Sequence, residues 1–120
     1  MDEIQKVMEN IIFNELKLRG FNVDVGVVEY NYKDSEGKSQ RSKLEVDFIA
    51  NLGSKKFYIQ SAFNIDDEQK KEQETASLNR IDDSFSKIVV VKDNIEPWQD
   101  DKGIQYIGIE QFLLEEDWLR

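Results

Sequence analysis

The sequence predicts an α/β fold, with a mixed sheet of four to five strands flanked by helices, on three observations. Apolar residues recur with a helical period close to the N-terminus. Two stretches in the first half alternate apolar and polar residues, the period of a half-buried strand. In the second half a charged helical segment precedes the continuous apolar run KIVVV, the pattern of a strand buried on both faces. With 120 residues and 39% hydrophobic content, the chain suits one domain, residues 1–120, on one core.

The spacing predicts a first helix over residues 3–19, where Ile4, Val7, Met8, Ile11, Ile12 and Leu18 form an apolar stripe and Gly20 stops the helix. Residues 21–33 and 43–51 then read as antiparallel strands joined by the polar loop DSEGKSQ, and residues 55–64 as a third strand after a turn at Asn51 to Ser54. Residues 66–82 are rich in helix formers, with Asp66 as the expected N-cap and a largely exposed surface. Residues 87–93 form the expected central strand. It can run parallel to an earlier strand only through a crossover, which the charged helix supplies. A loop with the only proline follows, then a short strand, IQYIGI, and a terminal helix over residues 110–117.

Composition removes several kinds of chemistry. The chain has no cysteine and no histidine, which excludes disulfides, thiolate nucleophiles, imidazole bases and the usual catalytic zinc sites. Carboxylates, amides, lysines and hydroxyls remain, with a hard cation such as Mg²⁺ as the cofactor they would suit. No apolar run reaches the length of a membrane span and the first residues are charged, so a cytoplasmic protein with no membrane partner is expected. The net charge of -9 disfavours non-specific attraction to nucleic acid. The charge is uneven, however: Lys33, Lys38, Arg41, Lys43, Lys55 and Lys56 face four acids over residues 33–56, whereas residues 93–120 hold eight acids against Lys102 and Arg120. Gly37, Lys38 and Ser39 mimic the end of a phosphate-binding loop, but Tyr32 stands where its first glycine belongs, and the segment lies between two strands rather than opening a helix.

The stretches MENIIFNELKLRGFNVDVG, LEVDFIANLGSKKFYIQSAF, SLNRIDDSFSKIVVVKD and GIQYIGIEQFLLEED cover most of residues 8–117. They resemble the C-terminal DUF4143 domain of AAA-type bacterial and archaeal ATPases, a branch of the PD-(D/E)XK nuclease superfamily. The resemblance implies a restriction-endonuclease-like αβββαβ core and a separated or excised copy of an ATPase's C-terminal domain. That family also carries an N-terminal P-loop ATPase and a winged helix, neither of which is in this sequence.

The resemblance further implies a site in which a helix acid, a strand acid and an (E/D)xK motif gather around Mg²⁺. Matched by position, the helix acid is Glu9, eleven residues before Gly20, and the strand acid is Asp47. Thirteen residues after Asp47 the second acid is replaced by Gln60, and two further on Ala62 stands for the lysine. Gln60 and Ala62 share a strand face, so the geometry of the motif is kept while its charge is lost. Asp47, Gln60 and Glu9 would together make a weak metal site at most. Lys43, Lys70 and Lys71 are the lysines that would have to substitute. Glu45 is a second carboxylate beside Asp47. Glu15 falls inside the apolar stripe about 120° round the helix from Glu9 and needs a partner of its own.

The expected function is a catalytically degenerate, nuclease-like accessory domain of an ATPase, serving nucleic-acid or protein recognition. Two alternatives stand beside it. One is an active Mg²⁺-dependent nuclease with a displaced lysine; the other is a protein-interaction module using the apolar residues near Trp98, Phe112 and Trp118. Oligomeric state is left open.

Overall fold

A computed structural model describes residues 3–115. Its order is α1 (Glu3–Leu18), β1 (Asn22–Lys33), β2 (Ser39–Leu52), β3 (Lys55–Ala62), α2 (Glu68–Asn79), β4 (Ser86–Val91), β5 (Trp98–Gln99), β6 (Ile104–Gly108) and α3 (Ile109–Leu114). The strands form one mixed sheet in the order β1-β2-β3-β4-β6-β5. The first three strands are antiparallel neighbours, β3, β4 and β6 are parallel, and β5 returns antiparallel to β6. The sheet therefore has six strands rather than four to five. The extra one is two residues long and holds on largely through Trp98, whose ring stacks on Tyr106 at 4.2 Å, a contact that strand alternation does not encode.

Alternation along the central strand divides the core. Ile88 and Val90 of β4 pack with Ile12 and Leu16 of α1 and with Phe112 of α3. Val89 and Val91 pack with Leu78 of α2 on the other face. Burying each such side chain stabilises by roughly 1.5–3 kcal/mol, which is why a run without polar residues belongs in the middle of the sheet. The crossover from β3 to β4 runs through α2, as expected.

Four details differ from the sequence reading. The buried line of α1 is Met8, Ile12 and Leu16, while Ile4, Val7, Ile11 and Leu18 are exposed; α3 has only six residues, and among the described residues none covers that flank of α1. Asp67, not Asp66, caps α2, because its carboxylate accepts from the Lys70 N–H at 2.8 Å, three residues into the helix. That helix is shorter than 66–82, and it buries Thr75, Ser77 and Leu78 against the sheet. The terminal helix ends at Leu114, and residues 116 and 117 of the predicted helix lie outside the described residues. Gly20 does end α1, with φ at 91° in the left-handed region. Among the described residues no helix is long and apolar enough to cross a membrane.

Candidate functional site

The register of the first hairpin sets the geometry. Asp24 of β1 faces Ile49, but Gly26 faces Val46, so Val25 alone opposes both Asp47 and Phe48. The two residues form a β-bulge in β2. It turns Val46 and Ile49 to the α2 side, where both join Leu78, and Phe48 to the α1 side. A side-chain carbon on Gly26 would sit 2.5 Å from Ile49 Cδ1 and 3.3 Å from Val46 Cβ, so the residue next to the bulge, opposite Val46, is best left without one.

The β2–β3 ladder ends at the same place. Its last pair is Phe48 with Ile59; beyond it, side chains replace the backbone ladder. The Asp47 N–H donates to Gln60 Oε1 at 3.0 Å, and the Ser61 N–H donates to Asp47 Oδ2 at 2.9 Å. From α1, Gln5 Nε2 donates to the Ser61 hydroxyl at 2.6 Å and to its carbonyl at 3.1 Å. The strands part, and a pocket of about 410 Å³ opens between Gln5, Glu9, Asp47, Gln60, Ser61 and Glu74. A second of about the same volume adjoins it, shares Glu9 and Asp47, and adds Phe13, Val25 and Glu45.

Three carboxylates meet at this gap. Burial raises the pKa of Asp47, against the opposing pull of the Ser61 hydrogen bonds, and Glu45 adds to the rise. Glu9 is raised by burial first, then by Asp47 and Glu74; Glu74 is raised by burial and then by Asp47. One oxygen of Glu9, Oε2, is buried with no hydrogen-bond partner among the described residues. Glu74 is the residue the sequence reading missed. Its signal was present: it lies four residues before Leu78, the only large aliphatic residue of α2, and so shares the sheet-facing side.

The structure thus brings Glu9, Asp47 and Gln60 together, with Glu45 at the exposed margin. The other candidates go elsewhere. Lys43 is exposed on β2, opposite Glu29. Lys70 Nζ donates to Asn64 at 3.4 Å. Lys71 Nζ lies 5.2 Å from the Trp98 ring and 5.8 Å from that of Tyr106, and no lysine lines either pocket. Glu15 pairs with Arg19 at 2.7 Å, and Arg19 in turn donates to the carbonyls of Phe112, Leu113 and Glu115. The role of Glu15 is to hold α3 rather than to join the gap.

Gln60 Oε1 and Asp47 Oδ2 each accept a backbone hydrogen bond, and among the described residues no three acids are close enough together to hold one metal ion. Ala62, at the lysine position, is fully buried with Val46, Tyr58, Leu78 and Val91. A lysine would have to displace core there, so the position is filled as well as uncharged. Of the aromatic residues expected to form a docking surface, Phe112 is fully buried, Trp98 is exposed, and Trp118 lies outside the described residues.

No protein-family model matches the chain, and no solved structure matches it. An uncharacterised protein of Haemophilus influenzae (strain ATCC 51907 / DSM 11121 / KW20 / Rd) is 35% identical over 108 residues, which are 90% of this chain and 23% of that protein. The chain therefore spans under a quarter of the length of this relative.

Proposed function

We propose that this domain is a restriction-endonuclease-like accessory module that has lost phosphodiester cleavage and serves recognition within a larger protein of the AAA ATPase type. The observation that carries the reading is the state of the motif positions. Gln60 spends its amide oxygen on the Asp47 backbone, and the lysine position is core. A metal-dependent phosphodiesterase needs anionic ligands to hold the ion and a group to orient water; here the first are reduced and the second is missing. Two further observations support the part played in a larger protein: the relative is more than four times as long as the matched segment, and Ile4, Val7, Ile11 and Leu18 on one flank of α1 are exposed. The resemblance to the DUF4143 domain supplies the ATPase.

Incubation with Mg²⁺ or Mn²⁺ and single- and double-stranded DNA and RNA tests the first half, with no cleavage expected. Cleavage that disappears in Asp47→Ala would overturn it. The second half is read from the genomic reading frame upstream of Met1, where a P-loop is expected; an ordinary intergenic region there would remove the ATPase from the reading.

A further inference from the structure

The basic residues singled out in the sequence do not form one patch. Lys55 and Lys56 begin β3 at one end of β2, while Lys33, Lys38 and Arg41 lie at its other end, beyond Phe48, the last β2 residue that pairs with β3. There β1 and β2 pair only with each other, and from Asn31 to Arg41 every residue but Asp34 is exposed. The hairpin is an arm on a molecule 49 Å long and 29 Å across its narrowest axis.

Its charges are sorted by face. The register puts Lys33, Asn31, Arg41 and Lys43 on one side, with Glu29 directly opposite Lys43 and Glu45 one step nearer the body, and Tyr30 and Tyr32 on the other. The tyrosine rings are 6.0 Å apart, and the Arg80 guanidinium lies 3.8 Å from the Tyr30 ring centre. The two acids of the turn are engaged locally: Asp34 accepts from the Glu36 and Lys38 N–H groups and from Gln40, and Glu36 pairs with Lys38 at 3.8 Å. Lys33, Arg41 and Lys43 make no ion pair among the described residues. An acidic protein with a cationic, aromatic, two-stranded arm is built to meet a polyanion at one place and repel it elsewhere.

We propose that the projecting β1–β2 hairpin is a nucleic-acid-binding ribbon that lies in a groove of a DNA duplex, with Lys33, Arg41 and Lys43 on the phosphates. A two-stranded ribbon fits the major groove of B-form DNA, about 12 Å wide. The same groove of an RNA duplex is too narrow to admit side chains. The inference rests on the recognition half of the proposed function and is independent of whether the domain cleaves.

The test is fluorescence anisotropy with a labelled 20-base-pair DNA duplex, a duplex RNA and a single-stranded DNA, at 50 and 200 mM NaCl. Three phosphate contacts predict a loss of roughly 40-fold in affinity for the DNA duplex between the two salts. Lys33→Glu, Arg41→Glu and Lys43→Glu together should weaken binding at least 10-fold at 50 mM with an unchanged circular dichroism spectrum, whereas Lys55→Glu with Lys56→Glu should not. Absence of duplex binding at 50 mM salt, equal binding by the hairpin variant, or a preference for single strands or duplex RNA would each overturn the proposal. Running the same samples on a denaturing gel separates the two claims, because cut duplex counts against lost cleavage and leaves the ribbon standing.

Discussion

At the level of single residues, the gap between β2 and β3 is a balance between hydrogen bonding and charge repulsion. Asp47→Ala leaves the fully buried Ser61 N–H without an acceptor, whereas Asp47→Asn keeps an oxygen there and removes the charge. Urea unfolding should therefore find the alanine variant less stable than the asparagine variant by about 1–3 kcal/mol. Ala62→Lys puts a charged chain into a closed cluster, and by the same measurement should cost on the order of 3 kcal/mol or more. The raised pKa values of Glu9, Asp47 and Glu74 fix a sign for pH. Each group holds its proton more tightly in the folded than in the unfolded state, so its stabilising contribution is complete below the unfolded value and is lost as pH rises through the folded one. Glu74→Gln removes that loss. It should raise the thermal midpoint at pH 7.5 but not at pH 3.5, and a larger gain at the lower pH would contradict the cluster.

Among the elements, α3 depends on one side chain from another helix. Arg19 reaches three carbonyls at its C-terminal end, acceptors that a helix of six residues cannot satisfy within itself. Arg19→Ala should cost about 1.5–3 kcal/mol, the worth of hydrogen bonds to a charged group, and should speed amide exchange in α3 far more than in β4. Equal acceleration in both would mean that α3 is held by its apolar contacts alone. The bulge in β2 was legible in part. A glycine inside an alternating strand marks a bulge or a close approach, and Gly26 does so here, yet its partner strand and the residues bulged depend on a register that only pairing reveals.

For the whole molecule, the arm and the body are separable. Because residues 31–41 are all exposed except Asp34, replacing them with an Asn-Gly turn should move the thermal midpoint by less than about 4 °C, and a larger fall would show that the arm carries part of the core. The α/β class, the central buried strand and its crossover through α2 could be read from the order of residues alone, because each follows from a period of 2 or 3.6 residues or from an unbroken apolar run. The sequence also led to the expectation that Glu9, Asp47 and Gln60 lie together, and all three line one pocket. It took the folded chain to show that Glu74 joins them, that Glu15 serves Arg19, that Ala62 belongs to the core and that the six basic residues part into two groups. These are matters of which strand pairs with which and where a ladder ends, and side chains distant in sequence have no period by which to announce that they meet.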